Sequence, residues 1–121
     1  MAKYFSEDHE WIAVDGDIAT IGITQHAAEQ LGDIVFVEQR EPGDTFEKGE
    51  DIGVIESVKA ASEIYAPVNG EVVEANGVLV DTPSTINENP ESEGWIYKIK
   101  VADSSQLEEL MDLDSYKALI S

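Results

Sequence analysis

The sequence predicts an all-β body, a sandwich or a barrel, with short helices at its flanks. Three observations predict it. Short runs rich in β-branched and aromatic residues recur at near-regular spacing along the 121 residues. Turn-forming Gly, Pro, Asn and Asp residues separate those runs. Helix-capping signals are confined to two regions.

Taken in chain order, Ile18-Ala19-Thr20-Ile21-Gly22-Ile23 reads as a strand after the turn Asp15-Gly16-Asp17. Thr24 can cap a short helix from Gln25 to Leu31, closed by Gly32 just beyond its end. Asp33 to Glu38 reads as a strand, and Pro42-Gly43-Asp44 breaks the chain. A turn at Lys48-Gly49-Glu50 precedes a strand from Ile52 to Val58. The next, Glu63 to Ala66, stops at Pro67, and Asn69-Gly70 turns the chain into Glu71 to Ala75. Asp81 to Gly94 reads as a long loop, with two prolines, two asparagines and four acids. A loop of that length is either functional or lies across the surface. Trp95 to Val101 is a late strand, Trp95, Tyr97 and Ile99 alternating with Lys98 and Lys100. Ser105-Gln106-Leu107-Glu108 has the form of a capping box opening a helix to about Met111, and Asp114 can cap a last helix from Ser115 to Ile120. Leu107, Leu110, Met111 and Leu113 then lie against the β body.

Composition narrows the function classes. Seven basic residues against 26 acids give a formal charge of -19, which repels nucleic-acid backbones and anionic membranes. The acidity serves either solubility or steering toward basic partners. With no cysteine there is no disulfide, no thiolate nucleophile and no Cys-ligated metal. No apolar run nears the ~20 residues of a membrane helix, and the acidic N-terminus has no apolar signal region. We expect one soluble, non-secreted domain over residues 1–121. His9 and His26 are the only histidines and form no metal motif; His9 reads as a structural, hydrogen-bonding residue. No P-loop, G-x-G-x-x-G or G-x-S-x-G sequence occurs, and carboxylates are too abundant for any pair to stand out.

One residue does stand out. Lys59 lies between two strand-like segments, at or near a hairpin tip that lacks the usual Gly, Asn or Pro and carries Ala60 and Ala61 instead. Its amine stands clear of bulky neighbours. On pattern alone, an ordinary solvated turn lysine is the simpler reading.

The segment Glu56-Ser57-Val58-Lys59-Ala60-Ala61-Ser62-Glu63-Ile64-Tyr65-Ala66-Pro67-Val68-Asn69-Gly70-Glu71-Val72 resembles the lipoyl-attachment region of the glycine cleavage system H protein family. So do Phe5 with His9-Glu10-Trp11, the blocks from Ile21 to Ala27 and from Leu31 to Val37, Asn76, Leu79, Pro83, Ile86 and Asn87, and the block from Gly94 to Lys100. Thr85 departs from the leucine usual in the family, and Glu91 from a common aromatic; both lie in the long acidic loop. The resemblance implies a mainly β, barrel-sandwich hybrid of lipoyl/biotinyl-domain type, with short flanking helices including a C-terminal one. It implies lipoate joined by an amide to Lys59, on a carrier that is not itself an enzyme. It implies three partners besides the lipoylating enzymes. A glycine decarboxylase (P component) loads an aminomethyl group, an aminomethyltransferase (T component) removes it, and a dihydrolipoyl dehydrogenase (L component) reoxidises the arm. It suggests a monomer in a bacterial cytoplasm, or in the mitochondrial matrix for a mature eukaryotic chain.

The carried amine is cationic, so a carboxylate able to hold it is expected. Glu63, four residues after Lys59, and Glu10, in the N-terminal motif, are the candidates; the alternative is two ordinary solvated acids. Rival readings are a biotin carrier, which would place Met on both sides of the lysine, and a lipoyl domain of a 2-oxoacid dehydrogenase, which would place Asp before it. Val58 and Ala60 stand there instead. A relay passing lipoyl groups to 2-oxoacid dehydrogenases and an acidic, non-enzymatic interaction domain remain as further alternatives.

Overall fold

Alternating burial along short strands builds two antiparallel sheets in a computed structural model that describes residues 2–121. The strands are β1 (Ala2–Phe5), β2 (Glu10–Asp15), β3 (Ile18–Ile23), β4 (Ile34–Gln39), β5 (Thr45–Phe46), β6 (Asp51–Ser57), β7 (Ala61–Tyr65), β8 (Gly70–Ala75) and β9 (Tyr97–Val101). One sheet has the order β1-β2-β3-β9-β8-β5 and the other β4-β6-β7. The first sheet ends on β1 and β5, which do not pair with each other, so the body is a sandwich and not a closed barrel.

Both sheets feed one core. Ile12, Ile21, Val72 and Ile99 from the larger sheet pack with Val37, Ile55 and Ile64 from the smaller. Tyr97 on β9 is wholly buried and crosses between the sheets: its hydroxyl donates to the Ile52 carbonyl on β6 and accepts from the Arg40 N–H. A buried hydroxyl without partners would cost about 1–3 kcal/mol, so this pair of bonds holds the sheets in one relative position.

Helix α1 (Gln25–Leu31) has the expected caps. Thr24 Oγ1 accepts from Ala27 N at 3.3 Å, and Gly32, at φ 79°, donates its N–H to Ala28 O. The other helices differ from expectation. A single turn, α2 (Val78–Asp81), precedes the long loop and buries Leu79, and part of the loop folds into a second, α3 (Thr85–Glu88), which buries Thr85 and Ile86. The predicted Ser105 capping box does not form. Asp103 is the cap, accepting from both Ser105 N and Ser105 Oγ, and the segment winds as a 3₁₀ helix over Ser104–Glu109. The serine hydroxyl is thus committed to the preceding acid. The last helix, α4 (Leu113–Ile120), begins earlier than expected: Asp112 caps it through Ser115 N, and Asp114 falls in the first turn. A carboxylate there still favours the helix by facing the positive end of its dipole.

β1 and β2 have no counterpart in the strands read from sequence. The turn between them needs a positive φ, and His9 supplies it at 67° where a glycine would have marked the turn. β1 is only four residues long and carries Lys3, and β2 opens on Glu10. A second cluster of Phe5, Trp11 and Tyr116 docks α4 onto these strands, with the Phe5 and Tyr116 rings stacked at 4.8 Å.

Candidate functional site

Lys59 lies in the β6–β7 connection and is exposed. The pairing Glu56↔Ala61 is the last before the tip, and Ser57 replaces the missing turn residue. Its N–H and hydroxyl both donate to Ala60 O, while Oγ accepts from Lys59 N and Ala60 N. One hydroxyl therefore takes up the Lys59 and Ala60 N–H groups without glycine or proline. Val58 N donates to Asp33 O, which fastens the tip to the segment after α1.

The lysine stem lies over Gly32. A Cβ at that glycine would sit 3.2 Å from Lys59 Cε. Gly32 is thus required twice, by its φ of 79° and by the close approach of the lysine. Asn87, on α3, holds this stretch from below: its Nδ2 donates to Gly32 O at 2.7 Å and its Oδ1 accepts from Ile34 N at 2.9 Å. The long acidic loop therefore braces the ground under Lys59. Glu91, one of the two departures from the family pattern, pairs with Lys3 at 2.7 Å and accepts from Gln25 N at the start of α1. Thr85, the other, is buried in α3.

Glu10 and Glu63 line one cleft of about 290 Å³, together with Asp8, His9, Gln30 and Leu31. The cleft runs along the same hairpin that carries the lysine, since Ile55, Ser62 and Ile64 complete it. Ser62 is three residues along from Lys59, about 10 Å of extended chain. The structure thus brings both candidate acids to one place and gives them opposite surroundings. Glu10 is 3 % exposed. Ser6 Oγ donates to its Oε1 at 2.7 Å and Tyr65 N to its Oε2 at 3.3 Å. Burial pushes its carboxyl up to about 7 in spite of those two bonds, with nearby Asp8 adding to the rise. Among the described residues it pairs with no cation. Glu63 is exposed and accepts from Tyr65 Oη at 2.8 Å.

Sequence reasoning missed the groups that set this environment. Ser6 and the Tyr65 amide hold Glu10, and Tyr116 holds the cleft's walls. The Tyr116 hydroxyl meets His9 Nδ1 at 2.8 Å and Thr24 Oγ1 at 2.6 Å, joining α4 to the turn bearing His9 and to the cap of α1. His9 is the structural, hydrogen-bonded histidine expected; burial and the neighbouring His26 hold its pKa below the usual value. No local signal marked Tyr116, because its partners are far away in sequence. A larger, open groove of about 680 Å³ beside β5 and β8 touches none of the predicted site residues. Among the described residues no group of His, Cys, Asp and Glu is placed to hold a metal, and no helix is long and apolar enough to cross a membrane.

A two-sheet β scaffold with short flanking helices, presenting one hairpin lysine, defines a carrier fold of the lipoyl-domain type. The family model described as Glycine cleavage H-protein matches residues 3–121. The chain belongs to that family, whose members are lipoate-carrying components of glycine cleavage and not catalysts. It is 60% identical over 117 residues to the glycine cleavage system H protein of Dinoroseobacter shibae, covering 97% of this chain and 96% of that one. It is 57% identical over 116 residues to the H protein of Caulobacter vibrioides, covering 96% of each. The crystal structure of a glycine cleavage system H protein from Mycobacterium marinum superposes with a TM-score of 0.88 at 38% identity, covering 96% of this chain and 94% of that one.

Proposed function

We propose that this chain, as one carrier domain over residues 1–121, bears lipoate in amide linkage on Lys59 and shuttles the aminomethyl group and electrons of glycine cleavage. The partners in this reading are a glycine decarboxylase, an aminomethyltransferase, a dihydrolipoyl dehydrogenase and a lipoylating enzyme, and the setting is the bacterial cytoplasm, with the chain monomeric. Lipoate would supply a dithiolane that takes up electrons and a one-carbon amine. The observation that carries the reading is the placement of Lys59: exposed, on a tip whose N–H groups from Ser57 to Ala60 are all bonded, and braced through Gly32 and Asn87. A rigid mount with a free side chain suits a tethered group, because the tether raises local concentration at a docked partner without new contacts.

The cleft supports the second half of the reading. Among the described residues Glu10 pairs with no cation, and burial holds its carboxyl up at about 7. A cationic amine entering beside it draws its carboxyl into the ionised form, and the pair gains strength from the low local dielectric. Glu63, at the exposed rim, adds a screened charge. His9 and Leu31 line its sides. The decisive test is intact mass after expression with lipoate, in wild type and Lys59→Arg. A lipoyl-sized increment present in the first and absent from the second supports the assignment; an increment that survives in Lys59→Arg overturns it. Reconstituted glycine–bicarbonate exchange then tests the cycle.

A further inference from the structure

Strand β4 is an edge of the smaller sheet, and it carries an irregularity. Its pairing with β6 shifts register between Ile34↔Ser57 and Phe36↔Glu56. The bulge turns two successive side chains outward: Val35 is 54% exposed and Phe36 47%. Val58, immediately before Lys59, is 66% exposed. Val58 N is bonded to Asp33 O and Ser57 is paired with Ile34, so the three apolar side chains belong to the end of the sheet that holds the lysine. Asp33, Glu38 and Glu56, all exposed, rim them with negative charge. An edge strand is usually protected by charge or by a bulge that breaks pairing; here the bulge also exposes an aromatic ring, the kind of residue that anchors interfaces.

Resting on the lipoyl reading above, we propose that Val35, Phe36 and Val58 form the docking surface for the enzyme that acylates Lys59, a partner with an apolar cradle and a basic rim around its acyl channel. Reach selects this occupant. Before modification, the acceptor is a bare amine on a four-carbon stem laid against Gly32. An enzyme that acylates it must bring an activated lipoyl carbonyl to Nζ. The C–N amide bond forms, the bond from that carbonyl to its leaving group breaks, and the amine gives up a proton. So short an acceptor forces the enzyme onto the residues beside the tip. Enzymes acting afterwards meet the end of a long arm and need not touch this surface. The acidic rim makes the approach dependent on salt.

Lipoylation of the full chain by a purified lipoate–protein ligase, with lipoate and ATP, is followed by intact mass as chain concentration varies. For Val35→Asp/Phe36→Ser the expected result is a KM for the chain raised at least tenfold, with kcat within about threefold. Raising ionic strength should also raise the wild-type KM. Leu119→Ser, on α4, should behave as wild type. Once fully lipoylated, the double variant should serve as substrate for dihydrolipoyl dehydrogenase within about twofold of wild type. Val35→Thr and Phe36→Asn, read beside thermal melts, serve if the double variant does not fold. An unchanged KM in folded variants overturns the docking surface alone. An equal loss in the dehydrogenase assay also overturns it, since the surface would then belong to a later partner. A wild-type chain that takes no lipoate overturns it together with the lipoyl reading.

Discussion

The hairpin that carries Lys59 and the turn at Ser6–Glu10 both line one cleft, through Ser62 and Glu63 on one side and Asp8 to Glu10 on the other, and the lysine tip and the turn are built on opposite terms. At the tip, every strong bond is made by backbone and by Ser57, and the charged side chain is left in water. At the turn, the charged side chain is the most enclosed part, 3 % exposed, and His9 holds a positive φ to put it there. The tip separates a rigid frame from a free group. The turn makes the group part of the frame. The first arrangement leaves an amine accessible; the second raises a carboxyl's proton affinity, because burial penalises its charge.

Substitutions can break or sharpen this contrast. Lys59→Arg should have the largest effect: complete loss of the lipoyl mass increment, with thermal stability close to wild type because the side chain is exposed. Glu10→Gln should come next. Loss of the carried aminomethyl group, followed by ammonia release from the loaded chain, should quicken tenfold or more. The same variant should alter stability against pH. The folded carboxyl binds its proton up to about pH 7, above the ordinary 4.5, so the folded state holds more protons in between. Wild-type stability should therefore fall as pH rises from about 4.5 to 7 and level off above, by roughly 3 kcal/mol at full shift. Chemical denaturation of Glu10→Gln across that range should show a shallower slope; identical slopes would mean that Glu10 is not held protonated.

Gly32→Ala forces a side chain into a left-handed conformation and toward Lys59 Cε, so unfolding should cost about 1–3 kcal/mol less. Lipoylation should persist, since the lysine stem can swing aside. Tyr116→Phe leaves His9 Nδ1 without its bond and weakens the hold on Thr24, at about 1–2 kcal/mol in denaturant melts. Glu63→Gln should be the mildest. An exposed charge pair is worth about 1 kcal/mol or less, so release of the carried group should change by no more than about fivefold. A Glu63→Gln effect equal to that of Glu10→Gln would erase the distinction between the buried and the rim acid.

Where the chain's signals are local, the sequence was legible. The run Ile18–Ile23 and the α1 caps Thr24 and Gly32 follow from neighbours within one or two turns of chain. The tip position of Lys59 follows from the two runs beside it. The capping signals near the C-terminus misled because several closely spaced acids and serines could each open a helix, and Asp103 and Asp112, two residues before the expected caps, take that role. β1 and β2 escaped notice because His9 stands in for a glycine.

By itself, then, the sequence determined the short strands, the hairpin-tip position of Lys59 and the family. Tertiary structure alone decided the state of Glu10, since the Tyr65 amide that binds it lies 55 residues away and its burial is made by both sheets together. It also decided the clamp by Tyr116, whose partner Thr24 is 92 residues distant, and the stitching of the two sheets through Tyr97. Burial and proton affinity are set by what the folded chain excludes from water around a group, and no stretch of neighbours along the chain specifies that.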